Sequence, residues 1–141
     1  MRIKKKIKPY KIVVFGLGFV GASISTLLAR HHLVEVVDTD KSKVDKVNQG
    51  LPPVADEELL KSFQNDNLNI KATTTIEDVF TSDVAIVRIP TDFHSNINGF
   101  ATENLKNLII QINNFQENIP IIIKSTVPIG FTSSMITDNP G

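Results

Sequence analysis

The chain has 141 residues, 41% of them hydrophobic, with 15 basic and 15 acidic side chains and no cysteine. It is long enough to bury a core as one domain. It contains no apolar run near the roughly 20 residues that a membrane-spanning helix needs, and without Cys it forms no disulfide and no thiolate metal site. The absence of Cys also fits a cytoplasmic location.

The zero net charge is unevenly placed. Arg2, Lys4, Lys5, Lys6, Lys8 and Lys11 crowd the start of the chain and leave an excess of acids in the remainder. Residues 1–10 read as a solvated basic extension ahead of a domain over 11–141. Neither a nucleic-acid nor a membrane partner is expected. No signal peptide is expected either, because the basic stretch leads into a strand and not into an apolar segment with a small-residue cleavage site.

Lys11-Ile12-Val13-Val14-Phe15 predicts a buried strand, and Gly16-Leu17-Gly18-Phe19-Val20-Gly21 follows it into a helix over 19–30. Helical spacing places Val20, Ile24, Leu27 and Leu28 on one face of that helix. A second strand over 34–38 ends in Asp38. Strand, glycine turn, helix, strand and acid in this order form the dinucleotide-binding fingerprint in its required context. Gly16 permits the tight turn, Gly18 leaves room for a diphosphate against the backbone, and Gly21 lets helix and strand pack closely. The helix start offers free N–H groups and a partial positive charge to the phosphates. Asp38 is placed to accept the hydroxyls of the adenosine ribose. Its charge repels a 2′-phosphate, which favours NAD over NADP.

A helix over 41–49 carries Val44 and Val47 inward and stops near Gly50. On geometry alone, Lys43 reads as an exposed helix lysine. Pro52-Pro53 forces an extended turn, and Asp56-Glu57-Glu58 opens another helix with acids suited to its N-terminus. A third strand is predicted over 69–73, a brief helix over 75–80 and a fourth strand over 83–89, ended by Pro90. A polar loop from Asp92 to Gly99 leads to a helix over 102–116, with Leu105, Leu108, Ile109, Ile112 and Phe115 at helical spacing. A fifth strand covers 120–124, and Thr132 is placed to cap a last short helix.

Alternating strands and helices imply a Rossmann-type, doubly wound α/β fold with a parallel sheet in the order 3-2-1-4-5. The unbroken apolar run 121–123 implies burial on both faces. In such a sheet the ligand lies beyond the carboxyl ends of the strands. The glycine turn, Asp38, Pro90-Thr91 and Ser125-Thr126 all fall there, with Thr91 and Thr126 toward the nicotinamide half. Taken singly, each threonine reads equally well as a cap or turn residue. His31, His32 and His94 have no second ligand at metal spacing, so no metal is expected.

These landmarks resemble the N-terminal domain of the UDP-glucose/GDP-mannose dehydrogenase family, with the likeness greatest to the bacterial UDP-glucose 6-dehydrogenases of polysaccharide biosynthesis. The resemblance runs over about residues 10–136. It is carried by Phe15 through Gly21, by Val37-Asp38-Thr39-Asp40-Lys41-Ser42-Lys43-Val44 and by Val47-Asn48-Gln49-Gly50-Leu51-Pro52-Pro53. It continues through Asn96-Ile97-Asn98-Gly99-Phe100, Ile89-Pro90-Thr91 and Lys124-Ser125-Thr126-Val127-Pro128-Ile129-Gly130-Phe131-Thr132. The last segment is the most diagnostic.

The resemblance implies an oxidoreductase that converts UDP-glucose to UDP-glucuronate by two NAD-dependent oxidations, with NAD held by this domain. The cofactor set is then Gly16, Leu17, Gly18, Phe19, Val20, Gly21, Asp38, Lys43, Pro90, Thr91 and Thr126, and Thr126 doubles as a catalytic residue that positions a water. The resemblance thus raises Lys43 above the geometric reading. It also implies a catalytic Cys, which this sequence lacks, and a UDP-sugar domain beyond it. The fragment alone is therefore expected to be inactive, and the sheet to stop before its last strand. That would leave Ile121-Ile122-Ile123 on a bare edge suited to self-association or a homodimer. Arg88, where the pattern has a small or apolar residue, and Asp92-Phe93, where it has an amide and a tyrosine, depart from the family. Two alternatives remain open: a regulatory dinucleotide-binding module, and a dehydrogenase of another nucleotide sugar.

Overall fold

Five apolar runs align in parallel because each is short, rich in Val and Ile, and separated from the next by a helical segment that must cross over the sheet. They are β1 (Lys11–Phe15), β2 (Leu33–Val37), β3 (Ile70–Thr73), β4 (Val84–Val87) and β7 (Ile121–Ile123), in the order β3-β2-β1-β4-β7. The computed structural model describes residues 8–79, 81–91, 93–94, 99–100 and 102–138. The Lys-rich stretch through residue 7, most of the polar segment after Thr91, and residues 139–141 lie outside the described residues.

The register fixes where a ligand can sit. Phe15 pairs with Val37 on one side and with Val87 on the other, Val37 pairs with Thr73, and Val87 pairs with Ile123. The strands therefore end level. The residues one step beyond form a row along the carboxyl edge: Thr74, Asp38, Gly16, Arg88 and Lys124.

Each face of the sheet is covered by its own helices. Ile12, Val14, Val34, Val36 and Ile86 face α1 (Phe19–Ala29), α2 (Lys41–Asn48) and α3 (Glu57–Asn65). Val13, Phe15, Ala85 and Val87 pack with Leu105, Ile109 and Ile112 of α4 (Glu103–Phe115) and with Phe131 and Met135 of α5 (Phe131–Asp138). Helix ends follow local chemistry. Asp40 caps α2 by accepting from Ser42 and Lys43 amides, and Asp56 caps α3 by accepting from the Leu59 amide. At the end of α2, Gly50 takes a φ of 76°, and the amides of Gly50 and Leu51 bond Val47 and Lys46 carbonyls in a Schellman closure. Arg30 joins α1 to α3 through Asp66 and Ser62. Among the described residues, no helix is long and apolar enough to cross a membrane.

Five expectations change. The buried face of α1 is Gly21, Ala22, Ser25, Thr26 and Ala29, whereas Val20 and Leu27 are exposed. Small residues face inward because the helix lies close to the sheet, and Ser25 and Thr26 satisfy their hydroxyls on the carbonyls four residues back. β7 is an edge strand and Ile122 is 48% exposed, so the run 121–123 is not buried on both faces. Within the expected polar loop, β5 (Phe93–His94) and β6 (Gly99–Phe100) pair as an antiparallel ribbon; strands of two residues carry no readable period. The brief helix expected over 75–80 is a 3-10 turn over Ile76–Asp78. Finally, α5 starts at Phe131, so Thr132 lies inside its first turn and not at its cap. The chain enters that helix through a turn in which Gly130 has a φ of 85° and the Phe131 amide bonds the Pro128 carbonyl.

Candidate functional site: a cleft along the carboxyl edge

The three glycines of the first turn answer to three different contacts. Gly16 takes a φ of 110°, and a Cβ there would lie 2.0 Å from the Arg88 carbonyl oxygen. A Cβ on Gly21 would lie 2.1 Å from the Gly16 carbonyl oxygen. These two glycines let β1, β4 and α1 touch through their backbones. Gly18 is different, because a Cβ there meets nothing within 4 Å. The space above it is open, as a diphosphate cradle requires. Helix α1 starts without a capping side chain and without an acid in its first turn, so its leading amides are left to a ligand.

Asp38 points into this turn. Its Oδ2 accepts from the Leu17 amide at 2.6 Å and its Oδ1 from the Asp40 amide at 2.8 Å. A carboxylate offers about four lone-pair directions, so ribose hydroxyls can be accepted with both anchors in place. Leu17 contributes its backbone to this arrangement, while its side chain is fully buried in the core.

A cleft of about 1410 Å³ runs along the edge. It gathers all the sequence-predicted cofactor residues except Gly21, which stands behind the turn as a packing residue. Lys43 lines the cleft and is half-buried, which corrects its geometric reading as an exposed helix lysine. Thr126 lines the cleft and is exposed to it. Thr91 is buried, and its hydroxyl donates to the Thr126 carbonyl at 2.5 Å.

Sequence reasoning missed two walls of the cleft and the bond made by one residue it had placed at the edge. Thr74 through Glu77, just past β3, form one wall; the strand register was the signal for it. Asn104, Leu108, Gln111 and Phe115 of α4 form another, at spacings that keep them on one helical stripe. That edge residue is Ser125. Its buried hydroxyl accepts from the Ile89 amide and donates to the Ile89 carbonyl, each at 3.0 Å.

A parallel sheet that reverses strand order at β1 and β4, with an open glycine turn at the reversal, defines a Rossmann-type dinucleotide-binding domain. The chain belongs to the UDP-glucose/GDP-mannose dehydrogenase family: residues 10–139 match the model of its NAD binding domain, and NAD is its cofactor. It is 35% identical over 128 residues to a UDP-glucose 6-dehydrogenase of Campylobacter jejuni, covering 89% of this chain and 33% of the relative. A UDP-glucose 6-dehydrogenase of Streptococcus pneumoniae is 34% identical over 89% of this chain and 32% of its own length. A GDP-mannose 6-dehydrogenase of Pseudomonas aeruginosa is 29% identical, over 89% of this chain and 30% of its own length. Among solved structures, a UDP-glucose dehydrogenase from Pyrobaculum islandicum superposes with a TM-score of 0.78 at 18% identity, covering 98% of this chain and 33% of that one. The chain thus spans about a third of the length of the relatives it matches.

Proposed function

We propose that this chain is the NAD-holding part of a UDP-glucose 6-dehydrogenase, which oxidises the C6 alcohol of UDP-glucose twice to give UDP-glucuronate. The observation that carries the reading is the 35% identity to the Campylobacter jejuni relative over 89% of the chain. In this reading Asp38 holds the adenosine ribose, Lys43 flanks it, and the α1 amides above Gly18 hold the diphosphate. Pro90 and Thr91 border the nicotinamide. Bound NAD supplies the acceptor for a hydride from the sugar carbon. Thr126 lies at the same end, where a hydroxyl can accept from a water and donate to a developing oxyanion.

The sugar nucleotide belongs to the two thirds of such enzymes that this chain does not span. The sequence has no Cys, so the thiol that the family resemblance implies for the second oxidation comes from there too, and this chain alone binds NAD without turnover. A cytoplasmic setting fits the lack of Cys. Pairing of two copies along the outer edge of β7 belongs to the same reading, and sedimentation velocity that returned only monomer at high concentration would remove it.

A pair of chimeras tests the assignment. In one, this chain replaces the corresponding third of the Campylobacter jejuni relative, and in the other that of the Pseudomonas aeruginosa relative. The first is expected to form NADH from UDP-glucose and to lose the activity with Thr126→Ala. If only the second is active, with GDP-mannose, the domain belongs to a dehydrogenase of another nucleotide sugar.

A further inference from the structure

We infer that Arg88 is an anion-binding residue of the cleft, gripping the diphosphate of the dinucleotide from the side of the glycine turn opposite Asp38. The inference rests on the reading of the cleft as the NAD site. Along the carboxyl edge Gly16 stands between Asp38 and Arg88, as the strand pairing dictates. The Arg88 amide bonds the Phe15 carbonyl at 2.9 Å, and its own carbonyl oxygen occupies the space a Gly16 side chain would need. Arg88 therefore begins at the turn itself, and it lines the cleft.

Among the described residues the charge of Arg88 has no counterpart. It is half-buried, and its side chain makes one hydrogen bond, from Nη1 to the neighbouring Ile89 carbonyl at 3.3 Å. Among the described residues no carboxylate pairs with it. The nearest acid in the row, Asp38, already bonds the Leu17 and Asp40 amides. A guanidinium carries five N–H donors, so most of its capacity is unused. A partly desolvated cation without a partner is costly, and an anion relieves that cost. The planar fork fits two oxygens of one phosphate. The uncapped start of α1 lines the same cleft, so helix amides and guanidinium are available to one group.

Calorimetric titration of the whole chain with NAD, ADP-ribose and adenosine tests this. Arg88→Ala is expected to weaken NAD and ADP-ribose about tenfold, to leave adenosine unchanged, and to flatten the fall of NAD affinity with salt. Arg88→Lys is expected to restore part of the loss. Wild-type or tighter NAD binding by Arg88→Ala would overturn the inference, and so would an equal loss for adenosine. A failure of the cleft reading looks different: Asp38→Ala would then bind NAD as the wild type does.

Discussion

The Asp38 carboxylate reaches across the sheet edge to the Leu17 amide at 2.6 Å, so the residue that is to grip the ribose also braces the glycine turn. Binding and stability are therefore coupled at this position. Asp38→Ala leaves the Leu17 N–H without its acceptor and should cost about 1–3 kcal/mol of stability. It should also weaken NAD by tenfold or more. Because the repelling charge is gone, NADP should lose less than NAD. Chemical denaturation together with paired NAD and NADP titrations reads all three effects. An unchanged NAD-to-NADP preference would show that Asp38 does not face the ribose.

The glycines of one motif should behave in opposite ways. Gly18 has ordinary extended dihedrals, φ −71° and ψ −177°, and open space where a side chain would go. Gly18→Ala should therefore fold as the wild type does and lose NAD affinity, because the methyl occupies the diphosphate's approach. Gly21→Ala drives a methyl to 2.1 Å from the Gly16 carbonyl oxygen. It should cost about 3 kcal/mol, by forcing α1 off the sheet. Thermal unfolding beside NAD titration separates the two. Equal loss of stability in both variants would refute the division of labour.

Strand order and the ligand edge were legible in the sequence because apolar runs and turn glycines report directly on a buried parallel sheet. The inner face of α1 was not. Hydropathy draws attention to Val20 and Leu27, yet close packing against the sheet selects Ala22, Ser25 and Ala29, whose small size leaves little periodic signal. Lys43 could not be placed from helix geometry alone, because its half-burial depends on how α2 leans over the cleft. Ser125 was legible as a residue of the carboxyl edge, but its bond was not. Its partner, Ile89, lies 36 residues away, and no local pattern announces such a bond.

Two side-chain amides act as extra rungs at the sheet's margins. Asn48, at the end of α2, donates to the Ala72 carbonyl and accepts from the Ala72 amide, both at 2.8 Å. Gln116, after α4, does the same for Ser82 at 2.7 and 2.9 Å. Ala72 and Ser82 are both buried, so removing either clamp strands two backbone groups. Asn48→Ala and Gln116→Ala should each lose about 1–3 kcal/mol in urea unfolding. Neither residue lines the cleft, so NAD affinity measured well below the melting temperature should not change.

Ser125→Ala should do both kinds of damage. The β4–β7 ladder ends with Val87 opposite Ile123 and the Lys124 amide on the Val87 carbonyl. Beyond that point the two chain segments are joined by the Ser125 hydroxyl on Ile89 and by the Thr91 hydroxyl on the Thr126 carbonyl. Deleting the serine hydroxyl leaves the Ile89 N–H unsatisfied and its carbonyl with only the 3.3 Å bond from Arg88 Nη1, at about 1–3 kcal/mol. It also frees Pro90, Thr91 and Thr126, the residues assigned to the nicotinamide end. NAD affinity should fall, while AMP, which reaches only the adenosine half, should bind as before. Thr91→Val removes the second tie at nearly constant volume and should produce the same split on a smaller scale. If Ser125→Ala weakened AMP and NAD alike, the serine would be supporting the whole sheet edge, and the separate nicotinamide end would have to be drawn elsewhere in the cleft.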